Sequence, residues 1–238
     1  MRIISVAKRR KSLSALGLLP FPDLSLLGEG ASLEWPRTRG EREGGDGRAA
    51  GDPKLLLDAE LCIRKGLRAG QELDETTLMA LIAESARERA KAKAIWLLSR
   101  RDYGERELAG KLEKDFGADA AAYAAGRMRE TGLVDDRRYA ARLAAQLLEV
   151  KKVSPKQAVY LMVQRGMDRE LAEDAVEERS PDPTEQIRQI VRQKYGKGPW
   201  DQKEIRRMTA GLARRGFSFG DIRSILRELS GDEYLYEE

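Results

Sequence analysis

From residue 74 onward, apolar residues recur every three or four positions, the spacing that lines one face of an α-helix, with caps and glycines dividing the chain into short segments. Asp74 opens the first helix. Leu78, Leu81 and Ile82 begin a stripe expected to resume at Ile95, Trp96 and Leu98 across the charged stretch 84–93. After a break at Asp102–Gly104, Leu108, Leu112 and Phe116 fall four residues apart. Gly117 stops that helix, Asp119 is the expected cap of the next, and Gly132 closes it after Thr131. A second triplet opens at Asp135, where Tyr139, Leu143, Leu147 and Val150 share one helical face. Ser154-Pro155 reads as an N-cap followed by proline in the first turn, for a helix that buries Ala158, Leu161 and Met162 and ends at Gly166. Asp168 caps a helix with Leu171, Ala175 and Val176 inward, and Pro181 and Pro183 close the unit. The third triplet starts at Thr184 with Ile187, Ile190 and Val191. The loop Gly196–Trp200 leads to a helix carrying Ile205, Met208 and Leu212. Gly216 and Ser218 then separate it from the stripe Ile222, Ile225, Leu226 and Leu229.

Gly117, Gly166 and Gly216, each ending a middle helix, lie 49 and 50 residues apart. A period of this size predicts tandem helical repeats, each covering its neighbour's apolar face. The expected spans are 74–134, 135–183 and 184–230, followed by an acidic tail at 231–238. Residues 1–73 read differently, as an extension. Arg2–Val6, Ser32–Trp35 and Lys54–Leu57 are partly alternating stretches that can pair as strands. The Gly-rich charged run 37–52 has little to bury and is expected to be a loop. Asp58 is the expected cap of a short helix stopped by Gly66.

With 41% hydrophobic and 35% charged residues, the 238-residue chain suits a packed core with long solvated helix faces. No apolar run is long enough to span a bilayer, and the N-terminus lacks the pattern of a signal peptide. The chain contains no histidine, which removes Ser-His-Asp triads, Cys-His dyads and HExxH zinc sites. Tyr195-Gly-Lys-Gly198 lacks the upstream glycine and the hydroxyl residue of a phosphate-binding loop. Cys62, the single cysteine, sits between Leu61 and Ile63 and reads as a buried thiol; it permits no internal disulfide and points to the cytoplasm. Asp135-Asp136 is better read as a helix cap than as a metal pair. The expectation is a binding protein, with no catalytic residues, metal site or cofactor.

The net charge is +4, but residues 186–229 hold 11 basic and 4 acidic groups. A local basic surface is the electrostatic footprint of nucleic acid or an acidic protein. Arg188 and Arg192 form an i, i+4 pair; Lys194 and Lys197 lead into the Trp200 loop; Lys203, Arg206, Arg207, Arg214 and Arg215 follow on the next helix. Arg137, Arg138, Lys151 and Lys152 are secondary candidates. The two-helix segments at 155–178 and 202–229 leave a helix-turn-helix DNA-binding protein as an alternative. Against it, Glu170, Glu173, Asp174, Glu177 and Glu178 make a poor surface for a polyanion.

GLVDDRRYA (132–140), SPKQAVYLMVQRGM (154–167), GFSFGDIRSIL (216–226) and GLRAGQELDETTL (66–78) together resemble the RecX family of regulatory proteins over about residues 55–229. Gly132, Leu133, Asp135, Asp136 and Tyr139 carry the most specific element, with Gly166 and Gly216 as further structural positions. The resemblance implies a mainly α fold of three tandem three-helix repeats in a curved array, with a small β-containing N-terminal extension. It also implies a monomer that binds the recombinase RecA and its filament on single-stranded DNA and restrains filament growth, ATP hydrolysis, strand exchange and coprotease activity. Weak direct contact with DNA is part of that expectation, and a membrane is not. The chain departs from the family at Asp102-Tyr-Gly104, in lacking a tryptophan after Tyr139, and in its long 37–52 segment.

Overall fold

The structure, a computed structural model, describes residues 1–9, 12–28, 30–34, 53–179 and 182–230. Trp35, the run at 37–52, Pro181 and the acidic tail lie outside the described residues. The chain divides into two compact units, Met1–Val134 and Asp135–Glu238. The fold is mostly helical with a small N-terminal antiparallel sheet.

In the first unit, β1 (Arg2–Lys8), β2 (Leu13–Leu19), β3 (Ser32–Glu34) and β4 (Lys54–Asp58) form an antiparallel sheet in the order β1-β2-β4-β3. Strand β2 was not expected from the sequence. It is central and its Ser14–Leu18 are buried, so Leu13-Ser-Ala-Leu-Gly-Leu-Leu reads as an apolar run rather than an alternation. The outer edge of β1 is paired in turn by the segment after α1 (Ala59–Arg64): Ile3 N–H donates to Gln71 O at 2.8 Å, and Gly70 N–H to Ile3 O at 2.8 Å. Asp58 caps α1 by accepting from Leu61 N–H, and Cys62 is buried as expected.

Helix α2 (Glu75–Leu98), capped by Asp74, serves two cores. Leu78, Leu81 and Ile82 pack with Ile3, Leu16, Leu55 and Leu57 beneath the sheet. Ala86, Ala90 and Ala94 instead pack against Leu108 and Leu112 of α3 (Glu105–Phe116) and Ala121 and Ala124 of α4 (Ala118–Glu130). At about 100° per residue the second buried stripe is turned by roughly a third of a revolution from the first. The expected continuation through Ile95 and Trp96 is therefore wrong: they are 53% and 48% exposed. Small alanines take the inward positions, where the helices approach closely. Arg89 ties the two halves, donating to Ser32 Oγ at 2.9 Å and lying 5.4 Å from the Phe116 ring centre, and burial lowers its pKa. Asp119 lies in the first turn of α4, whose cap is Gly117.

The second unit holds α5 (Asp136–Ala145), α6 (Pro155–Gln164), α7 (Arg169–Glu177), α8 (Pro183–Tyr195), α9 (Gln202–Ala213) and α10 (Phe219–Ser230). A π-helical turn at Gln146–Val150 extends α5, closed by Lys151 N–H to Gln146 O at 3.0 Å. It buries both Leu147 and Leu148 and carries Val150 out to 76% exposure, against the straight-helix expectation. Helix α7 buries Ala172 beside Ala175 and Val176, with Leu171 at the margin. Helix α8 starts at Pro183, one residue ahead of Thr184, because Asp182 caps it.

The α6–α7 and α9–α10 pairs repeat each other. Met162 and Leu212, Met167 and Phe217, Ala172 and Ile222, and Val176 and Leu226 are buried at positions 50 residues apart. Gly166 and Gly216 share φ near +84° and +83°, and the residue after each donates back to the carbonyl of Met162 or Leu212. Gly117 differs, leading directly into α4 with φ 80° and ψ 163°. The Gly216 turn seats on the start of α6, where Ser154 N–H donates to Arg215 O at 2.9 Å and Ser154 Oγ to Gly216 O at 2.7 Å.

Candidate partner-binding surface

In the third repeat the apolar face is committed to the core, which leaves the opposite face to carry charge. Ile187, Ile190 and Val191 of α8, Ile205, Met208 and Leu212 of α9, and Ile222, Ile225 and Leu226 of α10 form one buried cluster. Arg192 and Lys194 fall in the last turn of α8, where cations complement the helix dipole. On α9, Lys203, Arg206 and Arg207 are exposed, and Arg214 is exposed at its C-cap. The acids at the start of α9 are used locally: Asp201 accepts from Glu204 N–H at 2.6 Å, and Glu204 accepts from Asp201 N–H at 3.1 Å. Among the described residues no carboxylate lies within ion-pairing distance of Arg192, Lys197, Lys203, Arg206, Arg207, Arg214 or Arg215. These guanidinium and ammonium groups are available to phosphates or carboxylates.

Arg188 requires a correction, because it is not an outward, uncompensated cation. Its guanidinium donates through Nε to Glu228 Oε1 at 3.0 Å and through Nη2 to Glu228 Oε2 at 2.7 Å, joining α8 to α10. The pair raises the Arg188 pKa and lowers that of Glu228. Arg215 is half-buried, and its backbone carbonyl accepts from Ser154 N–H at 2.9 Å. Trp200 is half-buried, its indole N–H 3.4 Å from Tyr195 O, and packs on the cluster rather than standing free. Lys194 lies 5.6 Å from the Tyr195 ring centre.

Among the secondary candidates, Arg137 and Arg138 are exposed in the first turn of α5, and Lys151 is exposed. Lys152 donates to Gln193 Oε1 at 2.7 Å and is held at φ +51°. The GLVDD element is a joint. Gly132 at φ +72° ends α4, Leu133 N–H and Val134 N–H return to Met128 O, and Asp135 caps α5 by accepting from Arg138 N–H at 3.0 Å. Leu133 is half exposed, Asp136 begins α5, and Tyr139 is buried. On α7, Glu170, Glu173, Asp174, Glu177 and Glu178 are all exposed, which sets that face against a polyanion.

Two features escaped the sequence reading. A groove of about 530 Å³ lies along α6 and α7, lined by Lys156, Val159, Tyr160, Val163, Gln164, Arg169 and Glu173. At the end of α2, exposed Trp96 has Lys93 Nζ 4.4 Å and Arg100 Cζ 4.9 Å from its ring centre. Sequence pattern placed Trp96 in the core, and the missing signal was the rotation of the buried face.

The family model described as "RecX, third three-helix domain" matches residues 182–226, the segment that carries this surface. A "Regulatory protein RecX" of Xanthomonas axonopodis pv. citri is 32% identical over 140 residues, covering 57% of this chain and 84% of that protein. One from Caldanaerobacter subterraneus subsp. tengcongensis is 28% identical over 179 residues, covering 74% of this chain and 88% of the relative. A crystal structure of "regulatory protein RecX" has the same fold with a TM-score of 0.53 at 19% identity, covering 94% of this chain and 98% of that one. No helix among the described residues is long and apolar enough to cross a membrane.

Proposed function

We propose that this chain, which belongs to the RecX family of regulatory proteins, acts in the cytoplasm by binding the recombinase RecA and its filament on single-stranded DNA, restraining filament growth and the activities that depend on it. The observation that supports the reading most directly is the exposed cationic surface of α9 and the end of α8, set in the repeat that the family model matches, where the acids nearest in sequence, Asp201 and Glu204, are engaged in the capping of α9. A nucleoprotein filament offers both phosphates and protein carboxylates, and guanidinium groups bind either in bidentate geometry. The chain acts through occupancy of the filament and supplies no reacting group.

The test is ATP hydrolysis by the cognate RecA on single-stranded DNA as the protein is added. The expected result is a fall in hydrolysis at or below stoichiometric amounts, weakening as salt rises because part of the contact is electrostatic. Unchanged hydrolysis with a saturating excess of the protein would reject the reading. The helix-turn-helix alternative has less support, since the exposed acids of α7 occupy the position of a recognition helix.

A further inference from the structure

We propose that the exposed end of α2, centred on Trp96, is a contact site for single-stranded nucleic acid. A base stacks on the indole while Lys93 and Arg100 take flanking phosphates. The site lies in the first unit and uses none of the residues of the cationic surface of the third repeat.

Trp96 is 48% exposed in a region whose core is already closed by Ala90, Ala94 and partly buried Leu97 and Leu98. The indole is therefore not needed to complete packing. Lys93 lies one turn before it on α2 and Arg100 just past the helix end at Leu98, with the charged heads 4.4 Å and 4.9 Å from the ring centre. Each takes the ring as its neighbour, and neither has a carboxylate within ion-pairing distance among the described residues. Nearby cations are neutralised: Lys91 pairs with Glu88 at 2.7 Å and Arg101 with Glu107 at 2.7 Å.

Two cations without carboxylate partners beside a half-exposed aromatic ring suit a single strand, with its backbone tracking cations and its base meeting a π-face. Both cations lie over the ring itself, so an occupant of its π-face meets positive charge at once, which favours a polyanion over an apolar protein anchor. Base stacking exceeds what an exposed cation gains over the same ring. Once phosphates draw Lys93 and Arg100 aside, exchange of cation for base is favourable.

The test uses the full chain without RecA, so its failure is distinct from failure of the filament reading. Anisotropy of labelled oligo-dT at low salt is compared for the wild type, Trp96→Ala and the double variant Lys93→Gln/Arg100→Gln. Both variants should bind roughly ten-fold more weakly with unchanged helicity, since the three side chains are outside the core. In a chain with Trp35→Phe and Trp200→Phe, Trp96 emission should be quenched by oligo-dT and unaffected by polyglutamate. Unchanged oligo-dT affinity in Trp96→Ala overturns the proposal. So does an equal response to polyglutamate, which would make the patch a docking point for an acidic protein segment.

Discussion

Gly132 and Gly216 both hold positive φ, at +72° and +83°, but their surroundings differ. A Cβ at Gly132 would meet nothing within 4 Å, whereas one at Gly216 would lie 2.5 Å from Gln157 Cβ and 2.8 Å from Ser154 Oγ. Gly132→Ala should therefore cost only the left-handed backbone strain, about 1 kcal/mol. Gly216→Ala should add the displacement of a packed helix start, for a total of about 2–4 kcal/mol. Urea unfolding of the two variants checks this, and equal losses would mean that the Gly216 turn does not seat on α6. The need for glycine at both positions was legible in the sequence, as were the caps at Asp58, Asp135, Ser154 and Asp168, because capping is local chemistry; the cap expected at Asp119 falls instead on Gly117. The extra constraint on Gly216 comes from a residue 62 positions away, Ser154, and no local signal carries it. The same limit applies to Arg188, whose partner Glu228 lies 40 residues downstream.

At the scale of elements, the helices from α3 onward follow from periodicity, because each presents one apolar stripe to one core. Three elements broke that premise. Strand β2 is central and lacks alternation, the π turn after α5 shifts the inward phase at Val150, and α2 changes buried face midway. The α8–α10 pairing carries a pH prediction. The Arg188 guanidinium holds Glu228 below its ordinary carboxylate value, so the folded state favours the ionised form. That contribution is present at neutral pH and is lost as pH falls through the folded-state pKa of Glu228. In Glu228→Gln the deficit in melting temperature should be greatest at neutral pH and shrink as pH drops through the carboxylate range. A deficit independent of pH would show that packing, and not charge, joins the two helices. Because both groups are solvent-accessible, the effect should also diminish with added salt.

For the whole molecule, the uneven charge was readable by counting, while the number of cations actually available was not. Capping engages the two acids at the start of α9 with backbone N–H groups, and the Glu228 pair takes Arg188 out of the available set. What remains is a surface centred on α9. If the protein acts on the filament as proposed, reversing Arg207 and Arg214 to glutamate should weaken its binding to RecA on single-stranded DNA by roughly ten- to a hundred-fold and flatten its salt dependence. Helicity by circular dichroism should be unchanged, since both side chains face away from Ile205, Met208 and Leu212. Loss of helicity would place these residues in the fold rather than at the interface, and undiminished filament binding would move the contact elsewhere. The family itself was legible because GLVDD and the glycine turns are structural signatures, fixed by how helices end and begin.

The two-faced α2 has a consequence for how this chain can change over evolutionary time. Most helices accept an inserted or deleted residue near an end, where only a loop must adjust. An insertion between Ile82 and Ala86 would turn one stripe against the other by about 100°. Either the sheet would lose Leu78, Leu81 and Ile82, or α3 and α4 would lose Ala86, Ala90 and Ala94. The length of that three-residue crossing is thus under tighter constraint than its composition, and length variation should be rarest there.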